Sequence, residues 1–347
     1  MAEVDVAEPA SAPSPPGGGM RAAAAARSRW LLLIYDGIFR WREASIFVVG
    51  VALVIYFALQ NSAFLSTDNI RTISQYAAAP AIIAAGEVML LICGEIDLSV
   101  GNTYTLAPII MYTLYTTNHM PLVPAVIVGI LIGGLVGLTN GLVTVLLRVP
   151  SFITTLGMSF LLNGIALTVS SFPQLTPGGS TFSNIMGHGD YSEIIWALCV
   201  IAVMQAVLSF TPWGLHTVAT GGNILGSEEV GINVNAIKIG NFIVVGMLAA
   251  LTGILEAVRT TSVDPSAGGT PVMFAAVVAA VIGGTSLMGG SGTVLGALFG
   301  ALVIACLQDG FTLMGISAFT YSIILGAAII VAMIVNIRLQ QLRARSR

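Results

Sequence analysis

Apolar residues run along this chain in blocks of about twenty, and polar residues collect between the blocks rather than alternating with them. That length matches the roughly 20 residues an α-helix needs to cross the ~30 Å hydrocarbon core of a bilayer. The blocks predict ten membrane spans, near residues 44–61, 73–93, 101–117, 122–147, 151–171, 193–211, 236–258, 271–288, 291–309 and 317–337. Barrel strands would be alternating runs of about 9–11 residues, which these continuous blocks are not. Lipid offers no partner to a bare backbone amide, so helices remain as the spanning element. The expected fold class is therefore an all-α, polytopic helical bundle. The third and ninth blocks are short and follow glycine-rich breaks, so each is read either as a full span or as a re-entrant segment.

Composition excludes an ordinary soluble core. Charged residues make up 8% and hydrophobic residues 56% of the 347 residues, with a mean hydropathy of +0.93, whereas soluble domains carry about 25% charge. The few basic residues give an independent check on topology. An even number of spans returns both termini to one side, and cytoplasmic loops carry the excess of Lys and Arg. With both termini cytoplasmic, Arg21, Arg27, Arg29, Arg40, Arg42, Arg148, Lys238, Arg338, Arg343, Arg345 and Arg347 fall inside, and only Arg71 and Arg259 outside. A formal net charge of -3 gives no footing for a nucleic-acid partner.

Residues 1–43 read as a basic cytoplasmic tail and juxtamembrane segment, disordered through its Ala-, Pro- and Gly-rich first 29 residues. The weakly apolar Ala22–Ala26 and the short run Trp30–Tyr35 make a poor signal-peptide core. Residues 44–337 form the transmembrane domain and 338–347 a basic C-terminal tail. Cys93, Cys199 and Cys306 form no C-x-x-C pair and read as small packing residues. His119, His188 and His216 lie in separate loops without ligand spacing, so no metal site is expected.

The interruptions carry the chemistry. Gly94-Glu95-Ile96-Asp97-Leu98-Ser99-Val100-Gly101 closes the second block and opens the third. Glycine permits the sharp reversal, and Asp97 or Ser99 can cap the third helix. Two readings stand side by side: a tight turn with ordinary caps, or acids placed at a gate or transport path, since carboxylates inside a membrane cost about 3 kcal/mol and face a cavity or a partner. A second break, Gly283-Gly284-Thr285-Ser286-Leu287-Met288-Gly289-Gly290-Ser291-Gly292-Thr293, separates the eighth and ninth blocks in the same way. Its placement implies two related halves, spans two to five and seven to ten. Gly129, Gly133, Gly137 and Gly141, and again Gly292, Gly296 and Gly300, are spaced by four. Each set makes a helix face that a neighbouring backbone can approach closely. Asn140 and Asn163, inside blocks, are read as bonding between helices, with substrate contact as the alternative.

Residues 212–235 form the longest internal loop, where Asn223 can cap a short helix that Gly231 ends. Such an element is either plain surface or a handle by which a soluble motor grips the membrane domain. The motor must be another polypeptide. A P-loop needs G-x-x-x-x-G-K-[ST], and the single lysine, Lys238, follows Asn235-Ala236-Ile237. Two rival readings have specific residues behind them. Glu87 and Glu256 lie on or beside spans, as in an ion-coupled carrier, or else as structural acids. Gly289-Gly290-Ser291-Gly292 and Gly187-His188-Gly189-Asp190 match short motifs of intramembrane proteases, with Tyr35-Asp36 as a candidate partner. The three histidines sit in loops, and Asp190 and Asp36 fall on opposite sides, so nucleophile and base do not meet.

Gly94–Gly101, Val149-Pro150-Ser151-Phe152-Ile153-Thr154-Thr155-Leu156-Gly157, Gly221-Gly222-Asn223 with Gly231-Ile232-Asn233-Val234, and Gly283–Thr293 occur in this order. Over roughly residues 45–337 the chain resembles the permease subunits of ribose/xylose/arabinose-type ATP-binding-cassette importers. The resemblance implies an inner-membrane, multi-pass transport subunit with no catalytic residues and no cofactor of its own. Its implied partners are a second permease chain (the same or a paralogue), a cytoplasmic ATPase that uses the ATP, and a periplasmic binding protein that delivers a sugar. Ribose, xylose, arabinose, a sugar alcohol, a furanose-like autoinducer and a nucleoside all fit such a system. Carried onto this sequence, residues 221–231 would be the ATPase-coupling loop, with Gly221, Gly222, Asn223, Glu228, Glu229 and Gly231 as its residues. Asp97, Ser99 and Asn102 would shape the inner end of the substrate pathway, and Phe152 and Thr155 would line it. The sequence departs from the family at Glu95, where glycine is frequent, at Met288, where alanine is common, and at Gly226-Ser227-Glu228-Glu229, which replaces a small, apolar stretch.

Overall fold

The computed structural model describes residues 44–170, 174–175, 180–317, 319–324, 326–327, 330 and 334. The two expected tails, 1–43 and 338–347, and Asp36 lie outside the described residues, as does part of the tenth block. Helix α1 (Ala44–Gln60) and a 3-10 turn (Ser62–Leu65) lead into α2 (Thr67–Ile92), α3 (Val100–Thr116), α4 (Leu122–Leu146) and α5 (Ser151–Val169). A two-residue strand β1 (Gln174–Leu175) and a helical turn with a π segment (Asn184–His188) precede α6 (Ser192–Phe210). Then come α7 (Pro212–Gly222), α8 (Ile224–Glu229), α9 (Val234–Arg259), β2 (Ser262–Val263), α10 (Gly269–Ile282) and α11 (Val294–Leu313). β1 and β2 pair antiparallel, Gln174 opposite Val263. Nothing in the apolar pattern announced either strand.

Among the described residues, α2, α4, α5, α6, α9 and α11 are long and apolar enough to cross a membrane, and α1 and α10 are shorter apolar helices. Helix α3 has 17 residues, about 26 Å at 1.5 Å per residue, which is short of the hydrocarbon thickness. The all-α bundle is thus observed, with six long apolar helices.

The centre of the bundle is α2, buried almost without interruption from Ala77 to Ile92 and packed against α6, α9, α10 and α11. Helices α4 and α9 pack along the predicted glycine face. A Cβ on Gly133 would stand 2.3 Å from the Gly246 carbonyl oxygen, and one on Gly137 2.1 Å from that of Phe242. The second glycine face serves in the same way: Gly296 abuts Gly283, and Gly300 abuts Ala279. By contrast, α5 and α6 leave most of their apolar surface uncovered by this chain.

Helix α2 ends with Gly94 at φ +77, Gly94 N–H donating to Leu91 O and Glu95 N–H to Leu90 O. Helix α10 ends identically: Gly284 at φ +94, with its N–H donating to Val281 O and Thr285 N–H to Ala280 O. This paired closure, which satisfies two orphan carbonyls around a left-handed glycine, stops α10 at Ile282, short of the 288 that the apolar pattern predicts. Thr293 Oγ1 then caps α11 by accepting from Gly296 N–H.

Candidate functional site

Gly94 supplies the positive φ of the first break, and the segment behind it is stitched to two helices. Ile96 N–H donates to Ser151 Oγ (3.3 Å) and Leu98 N–H to Thr155 Oγ1 (3.0 Å), both on the first turns of α5. Asp97 is buried. Its Oδ1 accepts from Ser99 N–H (2.8 Å) and Ser99 Oγ (2.6 Å), and its Oδ2 accepts from Asn140 Nδ2 of α4 (3.1 Å). Burial pushes the Asp97 carboxyl above the usual carboxylate range, and the hydrogen bonds from Ser99 and Asn140 pull against that rise. Ser99 does occupy the position before α3, yet its side chain makes no capping bond, because its hydroxyl is committed to Asp97.

Of the residues expected on the substrate pathway, the structure brings Asn102 and Phe152 together on one cleft of about 510 Å³. Asp97, Ser99 and Thr155 are fully buried and do not line that cleft; they hold its wall. Leu98, Leu156 and Ser159 contribute to that wall, and Ser159 Oγ accepts from Asn102 Nδ2 at 2.6 Å. The far side is the start of α10, where Gly268 and Gly269 adopt positive φ, and a Cβ on Gly101 would meet Gly269 O at 1.9 Å. Gly101 therefore serves close approach of α3 to α10, not the reversal itself. Phe160, Asn163 and Phe274 complete the cleft. Asn163, expected between helices, instead opens into it. Spacing alone did not reveal this, because the α5 face it occupies is as apolar as its neighbours.

The second break folds back onto the first: Gly290 N–H donates to Ile92 O at 2.8 Å. The end of α7 arrives at the same point, where a Cβ on Gly221 would lie 1.6 Å from Ile92 O and 2.7 Å from Gly290 N. Three stretches of chain thus meet backbone to backbone. Trp213 Nε1 donates to Asn241 Oδ1 (2.8 Å), and Asn241 Nδ2 in turn reaches Met89 O and Thr217 Oγ1 (3.3 Å each), which fastens α7 to α2 and α9. From this seat, Asn223 Oδ1 caps α8 by accepting from Gly226 N–H at 3.0 Å, and Gly231 at φ +85 ends it. The short helix foreseen between Asn223 and Gly231 is there. Glu228, Glu229, Leu225 and Val230 are exposed on it.

A second cavity, of about 310 Å³, lies beside α8 and is lined by Glu95, Arg148, Glu228 and Lys238 among others. Lys238 Nζ pairs with Glu95 Oε1 at 2.6 Å. At the opposite end of α9, Arg259 pairs with both Glu193 and Glu256, and Asp190 pairs with Arg71 at 2.8 Å. Glu256 is thus the partner of an arginine. Glu87 is completely buried, with neither oxygen hydrogen-bonded among the described residues, and it lines none of the cavities described here.

A bundle of apolar helices with two matched glycine breaks, a cleft beside one of them, and a short exposed helix following the point where α7 meets both is an architecture that suits a membrane permease. Residues 69–333 match the family described as branched-chain amino acid transport system / permease component, and the chain belongs to that family. It is 40% identical over 271 residues to the xylose/arabinose import permease of Sulfolobus acidocaldarius, covering 75% of each chain. It is 35% identical over 268 residues to the ribose import permease of Haemophilus influenzae, covering 75% of this chain and 82% of the relative. With the autoinducer 2 import system permease of Salmonella typhi it shares 30% over 263 residues, 75% of each. No solved structure matches. The chain is therefore an importer permease of the cytoplasmic (inner) membrane, a transport component and not an enzyme. Permeases of this kind work with a separate ATPase and a substrate-binding protein.

Proposed function

We propose that the chain is the membrane-spanning subunit of an ATP-binding-cassette importer for a monosaccharide or a closely related polyol, delivered by a periplasmic binding protein. In this reading α8 with Gly221, Gly222, Asn223 and Gly231 is the element a cytoplasmic ATPase grips, with Glu228 and Glu229 at the contact. Asn102, Phe152 and Asn163 face the solute. The observation that carries the substrate class is the make-up of the 510 Å³ cleft: three phenylalanines, two asparagines, Ser159, Ser266 and Thr270, with no ionisable side chain among its lining residues. A zwitterionic amino acid entering it would shed hydration without gaining a counter-charge, at a cost of several kcal/mol. A sugar instead sets its C–H face on aromatic rings and its hydroxyls on amides and hydroxyls. The activities of the relatives, xylose/arabinose and ribose import, agree with this.

The remaining parts of the reading are ten spans, both termini cytoplasmic, two related halves and pairing of two permease chains. The matched closures of α2 and α10 support the halves, and the uncovered apolar faces of α5 and α6 leave room for a second chain. Reconstitution of the chain with its ATPase and binding protein in vesicles tests the function. Labelled pentoses should enter only with ATP inside the ATPase compartment. Uptake that survives omission of the ATPase, or transport of leucine in place of sugars, would overturn the reading. Tags at the two termini should both be protected in right-side-out vesicles.

A further inference from the structure

Lys238 is the chain's single lysine, and among the described residues it pairs with Glu95, 143 residues away. Both side chains are 14% exposed. The pair ties the first turn of α9 to the break between α2 and α3, at the edge of the cavity that α8 also lines. On one side of it, α8 passes its position to α9 through a short turn: Ile232 N–H donates to Ser227 O (2.9 Å), and Asn233 Oδ1 caps α9 by accepting from Ala236 N–H. On the other side, the residue after Glu95 is bonded to Ser151, and Leu98 to Thr155. Those two residues lie on the α5 turns that carry Phe152, Leu156 and Ser159 into the cleft. A continuous set of polar contacts therefore runs from α8 to the cleft, and the Glu95–Lys238 pair is its one ionic step.

We propose that this pair is a positioning link that transmits displacement of α8 to the cleft, so that work done on α8 moves the α5 wall. The inference rests on the function proposed above. Arg148 and Glu228 face the same cavity. Both are exposed, and among the described residues Glu95 pairs with Lys238 and not with Arg148. A link of this kind has to be strong, short and sheltered from screening, which a 2.6 Å pair at 14% exposure is. It also acts alongside the packing of α9 on α2 and the bond from Asn241 Nδ2 to Met89 O, which hold the two elements together while the pair fixes the break against the start of α9.

The test is the number of ATP molecules hydrolysed per sugar imported by the complete complex in vesicles, for wild type, E95Q, K238Q and the exchange E95K/K238E. A transmitting link predicts that each single variant raises ATP per sugar at least about fivefold while the complex still assembles, and that the exchange returns the ratio to within about twofold of wild type. A purely structural pair predicts that uptake and hydrolysis fall together with the amount of intact complex, leaving the ratio unchanged, and that result overturns the inference. If wild type itself shows no ATP-driven sugar uptake, the functional reading fails first and the inference with it. If E95Q does not assemble, the exchange variant decides: restored assembly with a wild-type ratio supports the link, and a raised ratio refutes it.

Discussion

Replacing Gly221 by alanine puts a methyl group where three backbone segments already touch. The new Cβ would stand 1.6 Å from the Ile92 carbonyl oxygen and 2.7 Å from the Gly290 nitrogen, against roughly 3.5–4.0 Å for an unstrained contact. The end of α7 must move off the two breaks by about 2 Å to reach that separation. Overpacking of this kind costs about 1–3 kcal/mol. The 2.8 Å bond from Gly290 N–H to the Ile92 carbonyl joins the two segments that α7 leaves and is kept. The expected loss is about 1–3 kcal/mol, or a melting midpoint lower by about 2–6 °C at roughly 2 °C per kcal/mol for a large chain. Gly222→Ala is the matched control for the melt, since a Cβ there meets nothing within 4 Å. Thermal unfolding of both variants in detergent, followed by co-purification with the ATPase, measures the difference. Gly221→Ala melting with Gly222→Ala, and recruiting the ATPase equally well, would refute the claim that α8 is seated through this contact.

Three further outcomes follow from the same geometry. Thr155→Val keeps the shape of a fully buried side chain but strands the Leu98 amide, so the unfolding midpoint should drop by the equivalent of about 1–3 kcal/mol; an unchanged midpoint would show that the break does not depend on α5. Arg259→Met removes the cation between Glu193 and Glu256 and should cost roughly 3 kcal/mol, measured by the same melt, with most of it recovered when Glu193→Gln is added. Asn163→Asp places a charge in the cleft that has none; initial sugar uptake should fall at least about tenfold, a barrier increase of about 1.4 kcal/mol, and Asn163→Gln should be milder. Equal rates for Asn163→Asp and wild type would remove Asn163 from the solute path.

The six long apolar helices, the two breaks and both glycine faces were legible in the sequence because each is written in local spacing, whereas α7 lies in a stretch whose composition read as loop. The short helix capped by Asn223 and ended by Gly231 was equally plain, for the same reason. What spacing cannot express is which breaks meet. Ile92, Gly221 and Gly290 converge through tertiary packing, and nothing in their local sequence names the others. The site residues divided along the same line. Asn102 and Phe152 reach the cleft, whereas Asp97, Ser99 and Thr155, equally polar or equally near the break, turn inward because Asn140 and the Leu98 amide claim them first. The pairing of Lys238 with Glu95 was also invisible, since a lone lysine on a loop reads as a topology marker until its partner is found. Met288, another departure from the family pattern, is exposed, and nothing in the structure explains it.

The bond from Gly290 to Ile92 bridges 198 residues, and Gly221 lies between them in sequence while sharing their contact. A nascent chain that has emerged only through α8 carries the handle without its footing, since the second break has yet to be synthesised. On the function proposed for α8, an ATPase would be drawn in only once nearly the whole polypeptide has been made, and prematurely terminated products would lack that surface.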